Sequence, residues 1–300
     1  MSAVDVRIYE VGPRDGLQAE ATSVPTDAKL RFIELLADAG LREIEATSFV
    51  SPRAIPQLAD ADELMARLPR RPGLRYPVLV PNQRGLERAI EARVDAVCLF
   101  TAATESYARH NINMSVDESL AAFAPVVGAA RERGWWVRAY VSTAFGCPYE
   151  GEVDERAVVS LGERLLALGV DELAISDTVG VAAPTDVQRV LGALAAAGIG
   201  PDVLALHLHD TRGTALANVM AGLEAGVRTF DASTGGTGGS PYAPGSAGNL
   251  ATEDLVYLLD RQGLRHGVDL GAVLDAARFI SDALGKPLDS KVGRAAAWPA

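Results

Sequence analysis

The sequence is short of cysteine, of basic charge and of long apolar runs, and each shortage closes off a class of protein. Only two cysteines, Cys98 and Cys147, occur in 300 residues. Two thiols in apolar surroundings build no disulfide framework, which points to a reducing compartment. Acidic residues outnumber basic ones, 39 to 28, for a formal net charge of −11. Nucleic acid and anionic membranes want a basic face, so neither is an expected partner. A small anionic substrate is still compatible, because a few arginines in a cleft set the local field. No apolar run reaches the roughly 18 residues of a membrane span. Residues 1–16 hold no apolar secretory core, so a cytoplasmic protein is expected. Walker and dinucleotide-binding glycine patterns are missing as well.

What the chain does have is alternation. Short apolar or β-branched runs at 6–11, 43–47, 75–80, 96–100, 136–141, 172–176, 203–207 and 228–232 predict strands. Amphipathic stretches at 26–39, 55–67, 83–91, 116–133, 154–168, 184–197, 212–225 and 252–262 predict the helices between and after them. Gly40, Gly134, Gly169 and Gly226 follow helical stretches, as C′ glycines do, and Pro184 with Thr185 and Asp186 reads as a helix start. Repeated β-then-α units predict an α/β fold with a parallel sheet, and eight of them close a (β/α)8 TIM barrel. A doubly wound sheet is the alternative. With no linker or composition shift, residues 1–300 read as one domain. A C-terminal helical extension of about 265–300, with a helix near 271–284, would pack outside the barrel.

In such a barrel the chemistry sits at the C-terminal ends of the strands. His207 and His209, two of only four histidines, lie two residues apart at the end of an apolar run and would aim both rings at one spot. The first strand ends in Glu10, Arg14, Asp15 and Gln18. The second carries Glu43 and Glu45, and the sixth ends Ser176-Asp177-Thr178. A glycine-rich loop leads from Ser233 to Asn249. Asp15, the two histidines and one further oxygen make a mixed N/O set, which suits Mg²⁺ or Mn²⁺ better than structural zinc. Each residue also has an ordinary reading. Asp15 could be a turn residue before Gly16, Glu45 half of an ion pair at the barrel bottom, and Asp177-Thr178 a helix cap. The loop 234–239 could cradle phosphate with its amides or close as a lid.

Seven segments then resemble the 3-hydroxy-3-methylglutaryl-CoA lyase family, in order along nearly the whole chain. They are VGPRDGLQ (11–18), IEATSFVSP (44–52), NINMSVDES (111–119), GCPYEG (146–151), SDTVG (176–180), HLHDTRGTALAN (207–218) and PYAPGSAGNLATEDLVYLL (241–259). The resemblance implies a metal-dependent lyase that splits a 3-hydroxy-acyl-CoA into acetyl-CoA and a keto acid or ketone by retro-Claisen cleavage. It implies Asp15, His207, His209 and Asn249 as metal ligands and Arg14 as the cation that steadies the acetyl-CoA enolate. Glu45 and Asp177 become supporting carboxylates near the substrate hydroxyl, and Arg14, Gln18 and Thr178 the candidate substrate contacts. Arg53 and Lys291 are candidate contacts to coenzyme A, and a homodimer is the expected assembly.

Three departures stand near this site. Ser240 occupies the position of the family's glycine-loop cysteine, the proton donor to the enolate, and a hydroxyl is a far poorer acid than a thiol. The loop Thr234–Gly239 region is more polar than the family's, and Arg212 stands where tyrosine is usual. The substrate could therefore be citramalyl-CoA or another hydroxy-acyl-CoA. A Claisen synthase, an aldolase on a substrate without coenzyme A, and a non-catalytic homologue are the other readings.

Overall fold

The computed structural model describes residues 4–239, 248–287 and 289–295. β1 (Arg7–Glu10) runs into one π-helical turn, Gly12–Gly16, and then α1 (Thr26–Asp38). The second strand comes in two pieces, β2 (Glu43–Ile44) and β3 (Thr47–Ser48), and a 3-10 turn, Pro56–Leu58, precedes α2 (Ala61–Arg67). β4 (Val78–Leu79) leads to α3 (Gln83–Glu91), and β5 (Ala96–Ala102) to α4 (Glu105–Ile112) and α5 (Val116–Glu132). β6 (Trp136–Ser142) pairs with α6 (Glu155–Leu168), and β7 (Glu172–Asp177) with α7 (Pro184–Ala196). β8 (Leu204–Leu208), α8 (Ala215–Glu224), β9 (Thr229–Ala232) and α9 (Thr252–Arg261) complete the series, followed by α10 (Leu270–Leu284) and α11 (Lys291–Ala295).

All strand pairs are parallel, in the order β2-β1-β9-β8-β7-β6-β5-β4-β3. The two ends of that order are two pieces of one strand, so the sheet closes on itself. The Glu45 amide bonds the Glu10 carbonyl at 2.8 Å and the Ala46 amide bonds the Pro77 carbonyl at 3.0 Å, joining the segment to both neighbours. The eight-stranded TIM barrel expected from the sequence is what forms. Strand 75–80 shrinks to Val78–Leu79 because Pro77 has no N–H for the ladder. The helix expected from residue 55 begins at Ala61, because Pro56 opens a separate 3-10 turn first. α4 was not expected; its polar sequence ESYARHNI carries no strong apolar stripe, and it ends on Asn113 in the left-handed region at φ 55°.

Two apolar layers hold the barrel. The larger lies between sheet and helices, and includes Phe32, Ile33 and Leu36 of α1 against the sheet. The smaller fills the barrel itself, with Tyr9, Val11, Cys98, Tyr140, Ala174 and Ala205. Inward positions alternate along each strand. Hence Arg138 sits in β6 on the same inward face as Tyr140, and register sets Arg138 beside Glu172 and His207 beside Asp231. α10 packs against α1 outside the barrel, as expected of the C-terminal extension.

Candidate active site

His207 is the next-to-last residue of β8 and His209 lies just past the strand end, with ring centroids 5.3 Å apart. Asp15 arrives from the π-helical turn after β1. Asn249 bridges to His209 just before α9. Ligand-capable atoms of Asp15, His207 and His209 lie within 4.8 Å of one another. Asn249 Nδ2 donates to Asp15 Oδ2 (2.8 Å) and to the Thr237 carbonyl (3.1 Å). Its Oδ1 is buried with no hydrogen-bond partner among the described residues. A buried amide oxygen without a donor is costly, and a cation at this point would satisfy it. Nδ1 of His207 is taken by Asp231 Oδ2 at 3.0 Å, which leaves Nε2 for the cluster. Burial alone would raise the Asp15 pKa, yet the Arg14 guanidinium and the two imidazoles hold it down to about 2. A carboxylate that keeps its charge so firmly suits cation binding better than proton collection. The donor set therefore fits a divalent ion.

Arg14 is 3% exposed and is gripped on two sides. Its Nε donates to Glu45 Oε1 at 2.5 Å and its Nη1 to Asp15 Oδ1 at 2.7 Å. The Tyr140 hydroxyl donates to the other oxygen of Glu45, and the guanidinium carbon lies 5.2 Å from the Tyr140 ring centre. Glu45 is thus the ion-pair partner of Arg14, at the catalytic rim rather than at the barrel bottom. Among the described residues no group accepts a bond from Nη2 of Arg14.

The other sequence-derived candidates divide. Gln18 Nε2 donates to Asp15 Oδ1 at 3.1 Å and so belongs to the cluster. Asp177 accepts the Val181 amide at Oδ1 and the Ala182 amide at Oδ2, both at 3.0 Å, so it closes the turn after β7. Burial pushes its carboxyl up, against those two amides. Thr178 Oγ1 accepts the Thr143 amide at 3.0 Å and ties β6 to β7. Arg212 Nη1 reaches the Gly180 carbonyl at 2.8 Å and braces the same turn. Lys291 pairs with Asp210, while Arg53 stays exposed. Ser240 lies outside the described residues.

The glycine loop is fixed at its roots. Glu10, wholly buried, accepts from the Gly12 amide, the Thr234 amide and hydroxyl, and the Thr252 hydroxyl. Gly248 passes so close to Gly236 that a Cβ would sit 1.8 Å from its carbonyl oxygen. Gly238, at φ +92°, would place a Cβ 2.7 Å from Asn249 Nδ2. A side chain at 238 would press on Asn249, and one at 248 on the Gly236 main chain. Glu253, at the start of α9, accepts the Gly235 amide at 2.9 Å, and burial pushes its pKa up to about 7. The folded state then binds a proton that the unfolded chain has lost, so stability falls as pH rises from about 4.5 to about 7. Glu253→Gln is expected to remove this slope and to raise the Tm at pH 8 by several degrees. Thermal melts of both proteins from pH 5 to 8 check it, and parallel curves would contradict it.

Comparison with known proteins fits this geometry. A sequence model of the HMGL-like family matches residues 5–280. The chain belongs to that family. A cytoplasmic 3-hydroxy-3-methylglutaryl-CoA lyase of Rattus norvegicus is 47% identical over 290 residues, covering 97% of this chain and 84% of the rat protein. The crystal structure of HMG-CoA lyase from Bacillus subtilis superposes with a TM-score of 0.95 at 46% identity, over 98% of both chains. An HMG-CoA lyase from Acinetobacter baumannii, solved with coenzyme A and 3-methylmalate, gives 0.93 at 40% identity, over 98% of this chain and 97% of that one.

Within this HMGL-like barrel, three residues beside the cluster escaped the sequence reading. Asp231 holds His207, Arg138 holds Asp231, and Tyr140 holds Glu45. The signal for them was present. Arg138 and Tyr140 alternate with Val137, Ala139 and Val141, and Asp231 lies between Phe230 and Ala232. A charge in mid-strand among apolar residues needs a buried partner.

Proposed function

We propose that this chain is a divalent-cation-dependent carbon–carbon lyase. It cleaves a 3-hydroxy-acyl-CoA of the 3-hydroxy-3-methylglutaryl-CoA type to acetyl-CoA and a keto acid. One observation carries the reading. Asp15, His207, His209 and the unpartnered Oδ1 of Asn249 converge beside an arginine with an uncommitted edge. Oxygen and imidazole donors without thiolate suit Mg²⁺ or Mn²⁺.

A cation bound there would supply Lewis acidity, lowering the pKa of a coordinated tertiary hydroxyl. The chain's own residues do the rest. Gln18 and Arg14 orient Asp15 through its Oδ1. Glu45, itself held by Tyr140, fixes the plane of Arg14. When the hydroxyl gives its proton to solvent water and its C–O bond becomes the carbonyl of the keto acid, the carbon–carbon bond breaks and its electron pair moves toward the thioester oxygen. Nη2 of Arg14 meets the charge there, already oriented and always charged. A proton then completes acetyl-CoA, with Ser240 as its donor or as the holder of a water. Asp177 and Thr178 shape the wall of the site through the main chain. In this reading the protein acts in the cytoplasm, as the rat relative's name and the scarcity of cysteine suggest; a single-domain homodimer is the base-rate expectation for its assembly.

His209→Ala tests the proposal. Wild type at a hundredfold excess of Mn²⁺ over its Kd should gain about 2.7 kcal/mol of stability. The variant should lose most of that gain, and cleavage should fall about 100-fold or more, beyond the effect of typical outer-sphere changes. Unchanged Mn²⁺ stabilisation together with unchanged activity would instead favour an inert binding homologue.

A further inference from the structure

A file of ionisable side chains, joined by hydrogen bonds and ion pairs, runs along the barrel from Arg75 and Arg7 at the N-terminal ends of its strands to His207. Arg75 Nη1 donates to Glu43 Oε1 at 2.7 Å, and Arg7 Nη1 to Glu43 Oε2 at 3.2 Å. Arg7 Nη2 pairs with Glu172 Oε2, and Arg138 Nε lies 2.9 Å from Glu172 Oε1. Arg138 then grips Asp231 with both ends of its fork, Nη2 to Oδ1 at 2.5 Å and Nη1 to Oδ2 at 3.0 Å. Asp231 Oδ2 faces Nδ1 of His207 at 3.0 Å. Side-chain exposure is 36% at Arg75 and 40% at Arg7, and drops to 0% at Arg138 and 1% at Asp231.

Burying an arginine whole costs several kcal/mol before its partners offset it, and an apolar filling of similar volume often serves stability as well. Stability alone therefore gives no reason for Arg138. Its other neighbours are the Tyr9 ring, 3.9 Å from its guanidinium carbon, and the Tyr140 hydroxyl at 3.3 Å. Among the described residues its ion pairs reach the cluster through one residue only. Its route to the site is Asp231.

We infer that Arg138 and Asp231 are positioning residues for His207. The two-point grip of Arg138 fixes the plane of the Asp231 carboxylate. Asp231 in turn accepts the proton of Nδ1, which fixes the tautomer and presents the lone pair of Nε2 to a cation. This rests on the reading that His207 is a metal ligand. An asparagine at 231 has a single oxygen to offer. If that oxygen answers Arg138, its NH₂ faces Nδ1 and drives the ring proton to Nε2, where it blocks the cation.

The experiment is a Mn²⁺ titration of chelator-treated protein, read by electron paramagnetic resonance of the free ion, with steady-state kinetics beside it. Asp231→Asn is expected to raise the Kd for Mn²⁺ about 10–100-fold. The KM for the acyl-CoA should hardly move, so the loss is read in the Kd for the ion. Arg138→Lys keeps a charge but loses the fork, and its Kd should fall between the two. Glu172→Gln removes a buried charge one step further from His207; it should lower the Tm and leave the Kd in place. A folded Asp231→Asn with wild-type Kd would overturn the inference. So would a Glu172→Gln Kd raised as far as that of Asp231→Asn, since the effect would then be general loosening. Should Asp231→Asn not fold, an unchanged Kd in Arg138→Lys would be decisive against it. A wild type that binds no Mn²⁺ would overturn the metal reading itself, a distinguishable result.

Discussion

Replacing Arg14 with methionine is expected to lower kcat about 10²–10³-fold, the usual loss when one preorganised donor to a developing oxyanion is removed. Methionine keeps much of the apolar stem and removes every donor. The KM should change far less, because the thioester oxygen carries little charge before the bond breaks. Arg14→Lys should recover little of the lost rate. An ammonium cannot bond Glu45 with Nε and Asp15 with Nη1 while offering a third edge to substrate. Steady-state kinetics at saturating Mn²⁺ give both numbers. Melts of each variant are needed beside them, since Glu45 would lose its buried partner. A lysine variant close to wild type would mean that a point charge suffices and that the held geometry of Arg14 is not used.

Ser240→Cys is expected to act in the opposite direction, raising cleavage of 3-hydroxy-3-methylglutaryl-CoA about tenfold or more, within the range of a general acid. A thiol with pKa near 8.5 gives up a proton at neutral pH far more readily than an aliphatic hydroxyl does. The pH profile should change with it. The variant should lose its advantage above roughly pH 8.5, where the thiol is ionised and has no proton to give. Rates of both proteins from pH 6 to 10 test the two parts together. A flat response would mean that protonation does not limit the rate, or that residue 240 does not face the enolate.

The frame of the barrel was legible because its signals are local. Alternating runs marked the strand positions, and Gly169 ends α6 in the left-handed region, where the sequence put a C′ glycine. The ends of strands were blurred by Pro77, and α4 by its lack of an apolar stripe. The metal-capable cluster was legible because the histidines stand two residues apart at one strand end and Asp15 sits in a conspicuous turn. The duties of the carboxylates were not, since they depend on what approaches from other strands. Asp177 closes its own turn, the ordinary reading of a capping residue. Glu45 serves Arg14 across the barrel mouth, and that partnership spans 31 residues of sequence. Asp231 and Arg138 lie 93 residues apart and meet only when the sheet closes. No window along the chain contains both.

Release of acetyl-CoA by the wild-type protein tests metal-dependent cleavage most directly. Chelator-treated protein would be offered 3-hydroxy-3-methylglutaryl-CoA, citramalyl-CoA and other 3-hydroxy-acyl-CoA thioesters, before and after addition of Mg²⁺ or Mn²⁺. Cleavage of at least one thioester is expected to appear with the metal and to disappear with the chelator. Failure to cleave any of them with metal bound would contradict the proposed function, as would cleavage at full rate without metal.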